Sequence, residues 1–253
     1  MSKNIELDKF YTPKETAKKC IDLFYSTFYG VTETIEPSAG NGVFSNQIPN
    51  CIAYDIEPEY ITIEKQNFFE LKLPYKKGRA FIGNPPFGDR NNLARSFYKH
   101  ACSMGDYIGF VLPVSQLDNK DSLYLFDLVK SIDLGVLEYS GMKVHCCFNL
   151  YQRPTNGVLN KKPKLSSDLF TIHRDDQQNY SEIDFDLCIF RRGASSGKEK
   201  TKDLHTQTYK IVVKDKTKVD FVIDTILNFD WQNYKNHQSA PSLSKNDIYR
   251  LFL

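Results

Sequence analysis

Long hydrophobic runs are missing from this chain of 253 residues. Nothing approaches the ~20 consecutive apolar residues of a membrane-spanning helix. The opening Met1-Ser2-Lys3-Asn4-Ile5-Glu6 lacks the apolar stretch of a secretory leader. These absences predict a soluble, cytoplasmic protein with no membrane partner. The six cysteines, Cys20, Cys51, Cys102, Cys146, Cys147 and Cys188, include no C-x-x-C pair and sit among apolar neighbours. Buried free thiols are expected, with neither a disulfide framework nor a metal. Internal repeats and low-complexity tracts are also lacking, which argues against repeat architectures.

What is present is enough apolar material, 41% against 25% charged residues, for one large domain or a catalytic domain with a small appendage. The net charge of +2 hides an asymmetry. Residues 1–152 carry 16 basic against 18 acidic residues, whereas residues 153–253 carry 17 against 13. Within the second part, residues 187–218 hold nine basic and three acidic residues. Such a stretch is either a surface for a polyanion or simply a solvated charged face.

The most informative stretch is Ala80-Phe81-Ile82-Gly83-Asn84-Pro85-Pro86-Phe87-Gly88. Two consecutive prolines stop the apolar run, because they lack backbone donors and force their predecessors into extended geometry. The stop presents an amide on Asn84, a carbonyl on Pro85 and a ring on Phe87. That trio suits a planar ring bearing an amino group, such as adenine. The amino nitrogen is a poor nucleophile because its lone pair is delocalised. Two acceptors on its N–H bonds, the Asn84 side-chain oxygen and the Pro85 carbonyl, would draw it toward tetrahedral geometry while Phe87 stacks on the ring. The chemistry needs positioning and electrostatics, and no metal.

Asn84-Pro85-Pro86-Phe87 resembles the signature of the S-adenosylmethionine-dependent amino-methyltransferases in its adenine-N6 form. The resemblance implies a catalytic set of Asn84, Pro85, Pro86 and Phe87, with S-adenosylmethionine as cofactor. Lys9-Phe10-Tyr11-Thr12-Pro13 resembles the N-terminal motif of the same family, a segment that closes over the methionine end of the cofactor. Phe10, Tyr11, Thr12 and Pro13 are therefore candidate cofactor residues. Thr12-Pro13-Lys14-Glu15 also reads as a capping box opening a helix, whose apolar stripe is Ala17, Cys20, Ile21, Phe24, Tyr25 and Phe28.

Thr34 to Phe44 reads as a short strand, a Gly-x-Gly turn and a helix beginning behind it. Glu36, Ser38, Ala39, Gly40 and Asn41 are candidate cofactor contacts, with Glu36 suited to the amino-acid end. The strand 51–55 ends on Asp55, suited to accept from two ribose hydroxyls, with Ile56 beside it. A dinucleotide would use the same acid, but Gly42 is followed by Val43-Phe44-Ser45 with no third glycine. Asn67 stands where the family commonly has Asp, and keeps an acceptor oxygen for the cofactor's adenine. Phe68 either flanks that adenine or is a plain core aromatic.

Further on, the pattern predicts helices over 93–104 and 121–131, a buried strand over 107–113, and an antiparallel pair over 136–139 and 144–151. The expected fold class is α/β. It is a Rossmann-like seven-stranded methyltransferase sheet with helices on both faces, plus a small C-terminal β-rich and helical recognition region. The expected domains are 1–152, binding S-adenosylmethionine and catalysing, and 153–253, basic and recognising the target. In the second, short strands are expected over 168–173, 184–190 and 208–213, and helices over 219–231 and 244–253. Arg191, Arg192, Ser195, Ser196 and Lys198 form the candidate nucleic-acid loop, where backbone donors and cations could meet phosphates. Trp231, the sole tryptophan, is read as structural.

The N-terminal opening and the separate basic end resemble the DNA-modifying branch. DNA is therefore the expected partner, with the target adenine rotated out of the duplex. RNA is the alternative partner, because RNA adenine methyltransferases share Asn-Pro-Pro-Phe-Gly followed by a polar loop. Protein-glutamine methyltransferases usually carry tyrosine in place of Phe87, and cytosine-C5 enzymes need a Pro-Cys dipeptide that this chain lacks. A catalytically silent nucleic-acid-binding module would have the same fold.

Overall fold

The computed structural model describes residues 11–139, 142–175, 183–200, 207–234 and 242–253. The chain divides into two compact units, Met1–Lys162 and Pro163–Leu253.

The first unit opens with α1 (Lys14–Thr27), followed by β1 (Glu33–Glu36), β2 (Ile52–Asp55), β3 (Glu64–Lys65) and β4 (Arg79–Gly83). Then come α2 (Asn92–Met104), β5 (Tyr107–Pro113), β6 (Asp127–Tyr139) and β7 (Met142–Gln152). The sheet order is β3-β2-β1-β4-β5-β7-β6. The first five strands pair in parallel, and β7 runs antiparallel to both β5 and β6. This is the order of a Rossmann-like methyltransferase sheet, closed by a hairpin.

Helices cover both faces of that sheet. Ile108 pairs with Tyr151 and Gly109 with Leu150, so the two pairs point to opposite faces. Tyr98 of α2 meets Tyr151 with ring centroids 5.0 Å apart. Phe24 of α1 lies so close to Gly109 that a Cβ there would come within 2.5 Å of it. α1 therefore packs on one face and α2 on the other. Between them Phe81, Phe110 and Phe148 are completely buried, each contributing roughly 1.5–3 kcal/mol by leaving water.

Three expectations are corrected. First, Thr12 and Glu15 form no capping box: Pro13 is the N-cap of α1, with no side-chain cap bond. Thr12 is instead turned inward, 3% exposed. Second, no α-helix follows the glycine turn, only the 3-10 turn Ser45–Gln47. Pro49 cuts the segment short, and the residue before a proline disfavours helical geometry. Third, residues 121–131 are not a helix. Residues 121–126 are irregular and β6 begins at Asp127. Its pairing with β7 slips between Leu128 and Lys130 and again between Asp133 and Gly135. The first slip puts the residues around Lys130 out of the two-residue alternation of a regular strand.

The second unit is a three-stranded antiparallel sheet of β8 (Phe170–Asp175), β9 (Leu187–Phe190) and β10 (Thr208–Val213), in the order β8-β10-β9. α3 (Val219–Leu227) and α4 (Lys245–Arg250) follow, and Ser244 with Asp247 forms a capping box on α4. Phe170, Ile172, Tyr209, Ile211, Val222 and Ile248 share one core. Trp231 is 3% exposed and donates from Nε1 to the Ile226 carbonyl at 2.7 Å, a structural residue as expected.

Candidate active site

Parallel α/β sheets bind ligands beyond the carboxyl ends of their strands, where the strand order reverses. Here the reversal falls between β1 and β4. A cavity of 360 Å³ opens at that point, within the roughly 300–1,000 Å³ of small-molecule sites. Its wall combines residues following β1, β2 and β4 with the segment before α1.

The β1 turn is shaped by its own backbone. Ala39 N donates to the Tyr54 carbonyl at 2.9 Å, and Gly42 N to the Ala39 carbonyl at 2.7 Å. Gly40 adopts a φ of +52°, and a Cβ there would sit 3.2 Å from the Tyr11 ring. Only glycine combines that conformation with so close a ring. Ser38, Ala39, Gly40 and Asn41 all line the cavity. The Asn41 side-chain oxygen accepts from Val43 N at 3.2 Å and keeps the turn closed.

Two acidic side chains, Glu36 and Asp55, stand at the cavity. Glu36 is 1% exposed, and its Oε2 accepts from Ser45 N at 2.7 Å. Burial pushes its carboxyl up to about 8, with nearby Asp55 adding to the effect. Asp55 accepts from Gly40 N at 2.7 Å through Oδ2 and from Glu57 N at 2.8 Å through Oδ1. Both oxygens keep a second lone pair for a ligand. Ile56 lines the cavity next to it.

On the far side, Asn67 N-caps a 3-10 turn, its side-chain oxygen accepting from Phe69 N at 3.0 Å. Phe68 lines the cavity and is also a core residue, stacked on Phe97 with centroids 5.1 Å apart. Phe68 is thus a core aromatic that also faces the cavity. The turn after β4 contributes Asn84, Pro85 and Pro86 to the wall. Ser38 Oγ donates to the Asn84 carbonyl at 3.4 Å, joining the β1 and β4 turns.

Phe87 is placed differently from the expectation. It is absent from the cavity wall, 7% exposed, and packed in the main core. Its carbonyl receives Leu93 N at 3.2 Å, so the residue anchors the start of α2. At the N-terminal side Tyr11 and Thr12 line the cavity. The Thr12 hydroxyl is buried without a hydrogen-bond partner among the described residues. Pro13 caps α1 outside the cavity, and Phe10 lies outside the described residues. Sequence reasoning missed Phe69, Leu93 and Phe97, which complete an apolar wall. The doubled Phe68-Phe69 was its visible trace.

The candidate nucleic-acid loop divides by burial. Arg192 and Lys198 are exposed and Ser195 half-buried. Arg191 is 5% and Ser196 1% exposed, so neither side chain is presented to a polyanion as expected. The loop is pinned from inside, because Trp231 packs directly against Gly197.

No protein-family model matches the chain, and no curated protein matches it significantly. Among solved structures, a candidate RNA methyltransferase from Pyrococcus horikoshii is 16% identical, with a TM-score of 0.46 over 60% of this chain and 90% of its own. The 23S rRNA methyltransferase ErmE is 13% identical, with 0.41 over 58% and 70%. The N-terminal domain of EvdMO1, bound to SAH, is 12% identical, with 0.37 over 57% and 83%. These are distant likenesses in fold.

Proposed function

We propose that the chain is an S-adenosylmethionine-dependent methyltransferase acting on the N6 amino group of adenine in DNA. The observation that carries the reading is one cavity wall shared by Asn84 and Pro85, the Gly40 turn, Asp55 and Glu36. The residues fit the cofactor. A buried acid at Glu36 meets an ammonium, Asp55 a ribose, and the unpartnered Thr12 hydroxyl offers a donor to a carboxylate. The Phe68, Phe69 and Phe97 wall suits a purine face. The bound cofactor would supply an electrophilic methyl group on a sulfonium.

The chain's own part is positional. The rigid Pro85-Pro86 corner holds the Asn84 side-chain oxygen and the Pro85 carbonyl as acceptors for one amino group, fixing the direction of its lone pair. Removing bulk water from the cavity strengthens both hydrogen bonds. DNA is preferred because the Tyr11-Thr12-Pro13 opening resembles DNA-modifying enzymes, and because the basic stretch 187–218 of the second unit can offset the few kcal/mol of base extrusion.

The test is transfer of labelled methyl from S-adenosylmethionine to duplex DNA and to structured RNA. Transfer to RNA alone would overturn the DNA assignment, and failure on both would overturn the activity. Asn84→Ala is expected to lower methyl transfer by about 10²–10³-fold while leaving cofactor affinity, measured calorimetrically, close to wild type.

A further inference from the structure

Glu59 lies outside every motif discussed so far, yet it is bonded to the cavity from two directions. Its backbone N donates to the Gly40 carbonyl at 3.2 Å. Its side-chain carboxylate receives the Tyr11 hydroxyl. Tyr11 is itself a wall residue whose ring lies against the Gly40 turn, at a distance that leaves no easy room for a Cβ. Gly40 N in turn donates to Asp55 at 2.7 Å. Tyr11, Gly40, Asp55 and Glu59 therefore make one continuous hydrogen-bonded assembly along one side of the cavity.

The assembly joins segments far apart in sequence. The Tyr11–Glu59 bond spans 48 residues and ties the segment before α1 to the loop after β2. Among the described residues, this is the one side-chain hydrogen bond that Tyr11 makes. Burial and the neighbouring carboxylates push the Tyr11 hydroxyl up to about 12, so it remains a donor throughout the physiological range. The loop carrying Glu59 is otherwise lightly held at its tip, where Ile61 is fully exposed and Tyr60 more than half exposed.

We infer that Glu59 is a positioning residue acting through Tyr11: their hydrogen bond holds the Tyr11 ring across the Gly40 turn and sets how long the cofactor stays bound. The inference rests on the proposed reading of the cavity as a cofactor site. A ligand lying along the Gly40 turn under Tyr11 can leave by that side only when the bond opens. Glu59 touches no reacting atom and so governs residence rather than the methyl-transfer step.

The experiment measures release of tritiated S-adenosylmethionine from the full chain after a chase with unlabelled cofactor, in wild type, Glu59→Ala, Tyr11→Phe and Glu59→Gln. Glutamine keeps an oxygen that can accept from the tyrosine hydroxyl. Release is expected to quicken roughly tenfold, the effect of one lost hydrogen bond, in both Glu59→Ala and Tyr11→Phe, and to stay near wild type in Glu59→Gln. Single-turnover methyl transfer at saturating cofactor should be unchanged in Glu59→Ala and Glu59→Gln. Unchanged release in Tyr11→Phe, or equally fast release in Glu59→Gln, would overturn the inference. Tyr11→Phe removes one surface-facing oxygen and keeps the ring, so it serves even where Glu59→Ala disturbs the loop. Absence of cofactor binding by the wild type would instead sink the proposed function, which keeps the two failures apart.

Discussion

A carboxyl group that is 1% exposed beside a second acid has no reason to ionise until something cationic arrives. Glu36 keeps its proton up to about pH 8 in the folded chain, against an ordinary value of 4.5. Between those values the folded state binds more protons than the unfolded one, so stability falls as pH rises through the window, by up to about 1.4 kcal/mol per unit. Glu36→Gln is expected to flatten the dependence of Tm on pH between 5 and 8. Pairing with an ammonium requires the ionised form, so cofactor binding at pH 7 should release close to one proton. Calorimetry in two buffers of different ionisation heat measures this, and Glu36→Gln should abolish the release. The same scale separates the two arginines after β9. Arg192→Ala with Lys198→Ala is expected to weaken DNA binding and reduce its salt dependence at unchanged Tm. Arg191→Ala should lower Tm, because that residue is buried.

At the scale of elements, the turn after β9 depends on a contact that no local pattern announces. Gly197 has a φ of +81°, and a Cβ there would come within 1.9 Å of the Trp231 ring. Gly197→Ala is therefore expected to destabilise the second unit by about 2–4 kcal/mol, from backbone strain and overpacking together. A thermal melt followed by tryptophan fluorescence reads this directly, since Trp231 is the only tryptophan. Phe87 teaches the complementary point: a residue read as a base-stacking ring packs in the core. Its neighbours Asn84, Pro85 and Pro86 reach the cavity, since the double proline turns the chain before Phe87 returns to α2.

For the whole molecule, the two units have separate hydrophobic cores. Every cavity residue lies in the first. Residues 1–162 expressed alone are expected to bind S-adenosylmethionine with near wild-type affinity and to lose most DNA affinity, as calorimetry and electrophoretic shift would report. Equal DNA affinity in the truncated chain would remove the recognition role of the second unit.

The strand and turn chemistry was legible because it is local. Prolines at 85 and 86, glycines at 40 and 42, and acids closing strands each act through a neighbour or two, so Asn84, Gly40 and Asp55 could be named from their surroundings. The strands at 107–113 and 208–213 were equally plain, being short apolar runs between turn formers. What escaped was whatever depends on partners distant in the chain. β6 carries a register slip between Leu128 and Lys130 that only pairing with β7 defines, so residues 127–131 read, with 121–126, as a helix. The aromatic wall of Phe69 and Phe97 and the Tyr11–Glu59 bond exist only because folding brings separated segments into contact. Tertiary packing also chose which side chains of the motifs face the cavity, because burial is decided by the far side of the core.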